Sequence, residues 1–172
     1  WRKPPPLGWG ERIALWLCWF AITKLMYQSG WVKLAWATEQ HPEWWPAHTA
    51  MTFHYFTQPI PTWTAWWMHQ LPAWIHQASI WPMYFVELVL PCVVFFGARL
   101  RLVAALGFAG LMVLILLTGN YTYFNWLTIT LCLPLVADRF WAWPKRLWQR
   151  LKKHVSEDEA ETESPIKPPP FD

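Results

Sequence analysis

Charged residues are scarce in this sequence. Asp, Glu, Lys and Arg together make up 15% of the 172 residues, whereas an ordinary soluble domain carries about 25%. Hydrophobic residues make up 55%, and 17 residues are tryptophan. This composition excludes an ordinary soluble domain and indicates an integral membrane protein. Because the first residue is Trp1 rather than Met, we expect the chain to be a fragment or a processed piece.

Motifs for common enzyme chemistry are also absent. The three cysteines, Cys18, Cys92 and Cys132, form no C-x-x-C pair. Each lies in a different apolar run, so we interpret all three as packing residues rather than redox groups. The sequence has no Gly-rich phosphate loop, no G-x-S-x-G elbow and no paired-carboxylate site. It therefore predicts no catalytic residue.

The six histidines do not have the spacing of a metal site. His48 and His54 are six residues apart, and His69 and His76 are seven apart, but neither spacing matches a known metal motif. We interpret these histidines as residues of an aqueous face. The sequence predicts no metal and no cofactor.

Basic residues are missing from the middle of the chain. Lys33 is the only Lys or Arg between Val32 and Arg99, whereas a dense basic group runs from Arg139 to Lys153. We interpret this asymmetry as a signal of membrane topology and not of nucleic-acid binding. If the chain crosses the bilayer four times, the basic groups near both ends fall on one side, which the positive-inside rule assigns to the cytoplasm.

Long apolar runs define the predicted crossings. Leu100 to Leu117 contains a single charge, Arg101, and is about long enough for a hydrocarbon core of roughly 30 Å. A polar and aromatic hinge, Thr118 to Asn125, follows it, and we expect Gly119 to end the helix with a positive φ. The predicted crossings are about 12–31, 80–96, 100–118 and 124–140.

The predicted fold is an all-α integral membrane protein with about four transmembrane helices and short interfacial helices. The surface segment 38–79 has no run long enough to cross, and we expect two short helices in it that meet at Leu71-Pro72. Residues 1–144 form the transmembrane domain. Residues 145–172 form a cytoplasmic tail, first basic, then acidic and proline-rich, which we expect to be disordered.

Two charges of opposite sign lie inside predicted crossings. Counted from the helix ends, Lys24 and Glu87 have nearly the same depth, and intramembrane charges need a partner or a water-filled cavity. We therefore predict an ion pair between them, with Gln28, Asn120 and Asn125 nearby. Two interpretations stay open: a static pair that sets helix register, or a functional polar pocket.

Five short motifs in order give the chain a resemblance to a known family. They are His54-Tyr55-Phe56-Thr57-Gln58-Pro59-Ile60-Pro61, His69-Gln70-Leu71-Pro72, Val86-Glu87-Leu88, Thr118-Gly119-Asn120-Tyr121 with Phe124-Asn125, and Leu127-Thr128-Ile129. Over about residues 20–140 the sequence resembles the lipase maturation factor family. The motif residues that we expect at the surface are His54, Tyr55, Gln58, Pro59, His69 and Gln70.

The resemblance implies a multi-pass membrane protein that assists the folding, assembly or maturation of exported proteins such as lipases. It implies the endoplasmic reticulum membrane in a eukaryote and the inner membrane in a bacterium. The expected partners are the lipid bilayer and an exported client protein. The competing hypothesis is a membrane enzyme or carrier, in which the pocket of Lys24 and Glu87 together with the face of His54 and His69 handles a lipid or quinone-like molecule.

Overall fold

A computed structural model describes residues 7–37, 41–137, 140 and 148–149. Regular structure in this part of the chain is entirely helical. The helices are α1 (Trp9–Ala35), α2 (Ala50–Thr57), α3 (Trp63–His69), α4 (Ala73–Tyr84), a π-helical segment (Phe85–Val89), α5 (Leu90–Val93), α6 (Ala98–Thr118) and α7 (Tyr123–Cys132), followed by a 3-10 turn (Leu133–Leu135). The chain divides into two units, Trp1–Val136 and Ala137–Asp172. The second unit, with the predicted tail, lies almost entirely outside the described residues.

Helices α1 and α6 are the two longest. Within the described residues, α6 is the one helix that is long and apolar enough by itself to cross a membrane. Its 21 residues span about 32 Å, which matches a core of roughly 30 Å. Helix α1 has 27 residues, or about 40 Å, and extends past the predicted 12–31 at both ends. Its first turn is capped by Glu11, whose Oε2 accepts a hydrogen bond of 2.9 Å from the Gly8 amide.

A second long helical stretch runs without a break from α4 through the π-helical segment to α5. It starts at Ala73, directly after Pro72 and seven residues before the predicted crossing at 80. The predicted break at Leu71-Pro72 is confirmed, since α3 ends at His69. Pro91 has no N–H for the Glu87 carbonyl, and the Leu90 amide instead bonds Phe85 O, five residues back. The proline therefore produces the π-helical segment.

The last helix is shorter than predicted. Together α7 and the 3-10 turn cover Tyr123–Leu135, about 20 Å, whereas the prediction was 124–140. Pro134 lies in the 3-10 turn, where a proline can no longer continue the α-helical hydrogen bonds. Residues 138–139 lie outside the described part of the chain.

The core lies where α1, the α4–α5 stretch, α6 and α7 meet. Its buried side chains are Ile22, Met26, Leu90, Val94, Ala104, Ala105, Phe108, Met112, Cys132 and Leu135. At one end of this core, the Arg101 guanidinium lies 3.7 Å from the centroid of the Trp19 ring and donates to Leu135 O at 3.2 Å. The Trp19 indole donates to Pro134 O at 2.9 Å. These contacts join α1, α6 and the 3-10 turn.

Candidate functional site

A buried carboxylate at the centre of the π-helical segment organises the site. Glu87 is only 3% exposed, and its Oε2 accepts a hydrogen bond from Lys33 Nζ of α1. Ser29 Oγ donates to the other oxygen, Oε1, at 3.1 Å, and Lys33 Nζ lies 3.2 Å from Ser29 Oγ. Both carboxylate oxygens therefore have partners, as a buried charge requires.

Close packing of two helices allows this ion pair to form. A Cβ added to Gly30 would lie 2.9 Å from Glu87 Cβ and 2.8 Å from Leu88 Cδ2. Such distances are too short for a real side chain, so glycine lets the π-helical segment approach the backbone of α1. Lys33, one turn further along α1, then reaches over Glu87.

The predicted ion pair between Lys24 and Glu87 is wrong. Lys24 and Gln28 are both exposed, and the partner of Glu87 is Lys33. Lys24 and Lys33 are nine residues apart, which is about two and a half turns of an α-helix, so they point in opposite directions. The prediction compared the depths of Lys24 and Glu87 along their helices, but it did not compare the directions in which their side chains point around the helix axes.

The aromatic ring of Trp44 packs against the lysine of the ion pair. Lys33 Nζ lies 5.4 Å from the centroid of the Trp44 ring, a cation–π contact. The Tyr84 hydroxyl donates to Trp44 O at 3.2 Å. Trp44 belongs to the irregular residues that precede α2. Both contacts tie this part of the surface segment to α1 and α4.

His54 of α2 is in electrostatic contact with Lys33. Burial lowers the pKa of His54 below its usual value of 6.5, and the positive charge of Lys33 lowers it further. His54 Nδ1 and Gln58 Nε2 are 2.9 Å apart. In the neutral imidazole, Nδ1 can accept a hydrogen bond from the Gln58 amide. Burial also raises the pKa of the neighbouring Tyr55 phenol.

Gln58 packs against the Thr118–Asn125 hinge at Gly119. A Cβ on Gly119 would overlap the Gln58 side chain, with Gln58 Cδ at only 2.8 Å. The expectation of a positive φ at Gly119 is wrong, because its φ is −167°. Asn120 takes the left-handed conformation instead, with φ of 50°. Glycine is needed here for close approach and not for a turn.

The two asparagines of the hinge, Asn120 and Asn125, form hydrogen bonds that stabilise the hinge. Asn125 is fully buried; its Nδ2 donates to Met112 O at 3.1 Å, and its Oδ1 accepts from the Tyr121 amide at 3.1 Å. Asn120 Oδ1 accepts from the Thr122 amide at 2.7 Å. Every one of these bonds stays within α6, the hinge and the start of α7. The predicted polar pocket is therefore not assembled from Lys24, Gln28, Glu87, Asn120 and Asn125.

Helix α3 is attached to the end of α6. The hydroxyls of Thr62 and Thr64 both donate to Leu117 O, the Thr62 bond being 2.6 Å long. The Ala65 amide donates to Thr62 Oγ1 at 3.2 Å, so Thr62 also caps α3. These bonds place α3 beside the last turn of α6.

A cavity of about 170 Å³ lies between α2 and α3. It is lined by Tyr55, Phe56, Pro61, Thr62, Ala65, Trp66 and His69. The lining is mainly apolar and aromatic, which suits an apolar group rather than a charged ligand. For scale, a dry protein cavity of about 150 Å³ can bind benzene.

Comparisons with known proteins identify the family. A model of the lipase maturation factor transmembrane domain matches residues 8–143. The chain belongs to the lipase maturation factor family. Lipase maturation factor 2 of Mus musculus is 43% identical over 130 residues, and that of Homo sapiens is 41% identical over 130 residues. Each of these alignments covers 75% of this chain and 18% of the relative.

Lipase maturation factor 1 of Mus musculus is 32% identical over 167 residues, which covers 94% of this chain and 28% of that protein. The chain thus spans less than a third of the length of these curated relatives. No solved structure matches it. The matched family domain is a transmembrane domain, so the chain is a membrane protein, as the sequence predicted.

The family motifs lie in several elements: α2 and the residues after it, the end of α3, the π-helical segment, the hinge and α7. Of the motif residues expected at the surface, Pro59 and Gln70 are exposed, and His54 and His69 are half-buried. Tyr55 and Gln58 are buried, so for these two the expectation of a surface position is wrong. Tyr55 makes an edge contact with the His76 ring of α4 at a centroid distance of 5.4 Å, and Gln58 packs on Gly119 of the hinge.

Sequence reasoning missed Lys33 as the partner of Glu87. The signal was available, because Lys33 is the only Lys or Arg between Val32 and Arg99. Gly30, three residues earlier, was a second signal of a close helix contact. Together they mark the side of α1 that receives Glu87.

Proposed function

We propose that this chain is a multi-pass transmembrane domain that assists the maturation of exported proteins such as lipases. The observation that carries the proposal is the family domain match over residues 8–143. In a eukaryote such a domain would lie in the endoplasmic reticulum membrane, and in a bacterium in the inner membrane. Its partners would be the bilayer and an exported client.

Helix lengths support three of the four proposed crossings. Helix α1 spans about 40 Å, and the helical stretch from α4 to α5 spans about 32 Å, similar to α6. Helix α7 and the 3-10 turn together span about 20 Å, less than a hydrocarbon core of roughly 30 Å, so a crossing there is proposed from the apolar run Trp126 to Ala137. With the basic residues cytoplasmic, both chain ends lie in the cytoplasm, and the surface segment 38–79 and the hinge lie on the opposite side.

The surface segment is the proposed client contact. Residues 44–86 contain no Asp, Glu, Lys or Arg, although exposed protein surfaces usually carry many charges. Exposed Trp and Phe side chains of the surface segment are Trp45, Phe53, Phe56, Trp63, Trp66, Trp67 and Trp74. An uncharged aromatic surface is suited to apolar parts of a non-native client. The cavity between α2 and α3 would hold one apolar side chain of that client.

Secretion of an active lipase tests the proposal. The full-length protein is expressed in cells that lack their own maturation factor, and secreted lipase activity is measured. Phe56→Ala, which removes an exposed wall of the cavity, should lower that activity at equal membrane abundance. Phe53→Ala is the matched control, because Phe53 is an exposed phenylalanine of the same helix that does not line the cavity. Equal activity of both variants and the parent protein would argue against the cavity.

The enzyme or carrier alternative loses the site on which it depended. Its pocket required Lys24 beside Glu87, but Lys24 is exposed and Glu87 pairs with Lys33. We therefore propose a maturation factor.

A further inference from the structure

One face of α1 is exposed along most of its length and carries polar groups in its middle. The exposed side chains follow helical spacing of three or four residues: Leu17, Phe20, Lys24, Tyr27, Gln28 and Trp31. We call this set the α1 stripe. It lies on the side of α1 opposite Lys33 and the core contact of Ile22 and Met26.

Lys24 lies close to the middle of α1. It is fifteen residues after Trp9 and eleven before Ala35, or about 22 Å and 17 Å from the two ends. If α1 is centred in the bilayer, Lys24 lies near the midplane, too deep for a snorkelling side chain to reach either surface easily. Lys24 has no hydrogen-bond or ion-pair partner among the described residues. A charge at that depth requires a partner or a water-filled cavity.

A second copy of this chain offers no suitable carboxylate within the described residues. Glu11 caps the first turn of α1, and Glu43 lies in the irregular residues before α2. Glu87 is buried and already has Lys33 and Ser29 as partners. If two copies met through the α1 stripe in the same orientation, Lys24 would face Lys24, which like-charge repulsion disfavours.

We propose that the α1 stripe is covered in the membrane by a transmembrane helix of a different polypeptide that carries an aspartate or glutamate at the depth of Lys24. The carboxylate pairs with Lys24, and Gln28, one turn away on the same face, supplies a second hydrogen bond. Phe20 and Trp31 provide apolar contact on either side of this polar pair. This inference rests on the crossing of the bilayer by α1 in the proposed function.

Site-specific photo-crosslinking in native membranes tests the proposal. A benzophenone amino acid replaces Phe20 in the full-length protein, and the crosslinked peptides are identified by mass spectrometry. The matched control replaces Leu106, an exposed apolar residue of α6. We expect position 20 to crosslink to a transmembrane peptide of another protein, with Asp or Glu within about one turn of the crosslinked residue. Position 106 should not yield that peptide.

Charge reversal at Lys24 is the deciding variant of the crosslinking experiment. Lys24→Glu should lower the yield of that crosslink at least tenfold, and changing the partner carboxylate to Lys should restore it. The proposal is overturned if position 20 crosslinks only to phospholipid or to a second copy of this chain. It is also overturned if the peptide lacks a carboxylate, or if Lys24→Glu leaves the yield unchanged.

Cysteine labelling at the two ends of α1 distinguishes a failure of this proposal from a failure of the proposed function. Single cysteines at Leu7 and Trp36 flank the helix. If they label from opposite sides while crosslinking finds only lipid, the crossing stands and the acidic partner is refuted. If they label from the same side, α1 does not cross, and both the topology and this proposal fail.

Discussion

At the scale of single residues, the Lys33–Glu87 ion pair shows how direction around a helix decides a contact. Lys24 and Lys33 occur on the same helix, but half a turn of rotation separates their faces. Close approach at Gly30 then brings Glu87 to the face of Lys33. Glu87 is the more buried partner, with 3% of its side chain exposed against 17% for Lys33.

Removal of one partner of this pair should harm the fold more than removal of both. Lys33→Met should destabilise the protein by up to about 3 to 5 kcal/mol, because it leaves the Glu87 carboxylate buried without its cation. Glu87→Gln should cost less, since Lys33 is partly exposed and can reach water. The double variant should recover much of the loss. Unfolding of the purified protein in detergent, followed by tryptophan fluorescence, gives these free energies.

Lys24→Met is the control for that series. Because Lys24 is exposed and unpaired within the described residues, the substitution should leave the free energy of unfolding of the isolated chain nearly unchanged. Strictly additive effects of Lys33→Met and Glu87→Gln would contradict a coupled pair.

His54 should make stability depend on pH in the acidic range. Its pKa is lowered in the folded state by burial and by Lys33, so the unfolded state binds more protons near the usual value of 6.5. The stabilising contribution is therefore fully present above about pH 6.5 and is lost as pH falls through the lowered pKa. The free energy of unfolding, measured from pH 7.5 down to 5, should decrease more steeply for the parent protein than for His54→Gln.

The other histidines require their own control. His76→Gln removes a buried imidazole of α4 whose Nε2 lies 2.9 Å from Leu71 O. In the His76→Gln background, His54→Gln should still reduce the slope of the free energy of unfolding against pH. Equal slopes for the parent protein and His54→Gln would show that His54 does not sense this pH range.

At the scale of helices, contacts between side chains of the surface segment and backbone groups of the bundle hold the short helices in place. Two threonine hydroxyls bond the Leu117 carbonyl, and the Gln58 side chain packs directly on Gly119. These contacts use the end of α6 and the hinge, where helix carbonyls have no partner inside their own helix. The cavity between α2 and α3 depends on them, because they place both helices.

Gly119→Ala should therefore loosen the surface segment. The new methyl group would overlap Gln58, and overpacking of this kind typically costs about 1 to 3 kcal/mol. Gly110→Ala is the matched control, because a Cβ there meets nothing within 4 Å. Proteolysis of the surface segment in membranes should become faster for Gly119→Ala only. Truncation of the clashing side chain with Gln58→Ala should restore much of the protection, and a lack of rescue would rule out this clash.

At the scale of the whole molecule, the family domain is arranged with its polar contacts at two ends. Arg101, Trp19 and the 3-10 turn meet at one end, and the Lys33–Glu87 pair with the surface segment lies at the other. The apolar core lies between them. This arrangement agrees with a bilayer around the core, since charged groups are stable only near its boundaries or in pairs.

Topology can be measured by cysteine labelling. In a background without Cys18, Cys92 and Cys132, single cysteines at Thr62 and Thr122 should react with an impermeant maleimide from the non-cytoplasmic side. A cysteine at Ser156 should react only after the membrane is permeabilised. Labelling of Ser156 in intact vesicles or cells would reverse the proposed orientation.

Local features of the sequence determine several elements of this protein. The apolar run 100–118 predicted α6, and Leu71-Pro72 predicted the break between α3 and α4. These features depend on side-chain hydropathy and on the missing N–H of proline, which act within a few residues of the chain. Short motifs likewise predicted the family.

Only the tertiary structure decided which charges pair, which motif residues are buried and why Gly119 is a glycine. Lys33 and not Lys24 meets Glu87, and Gln58 is buried against Gly119 rather than exposed. In α1, apolar residues cover both the core face and the stripe, so hydropathy does not indicate which face meets another helix. The contacts depend on rotation and distance between helices that are far apart in sequence, and these are set by packing.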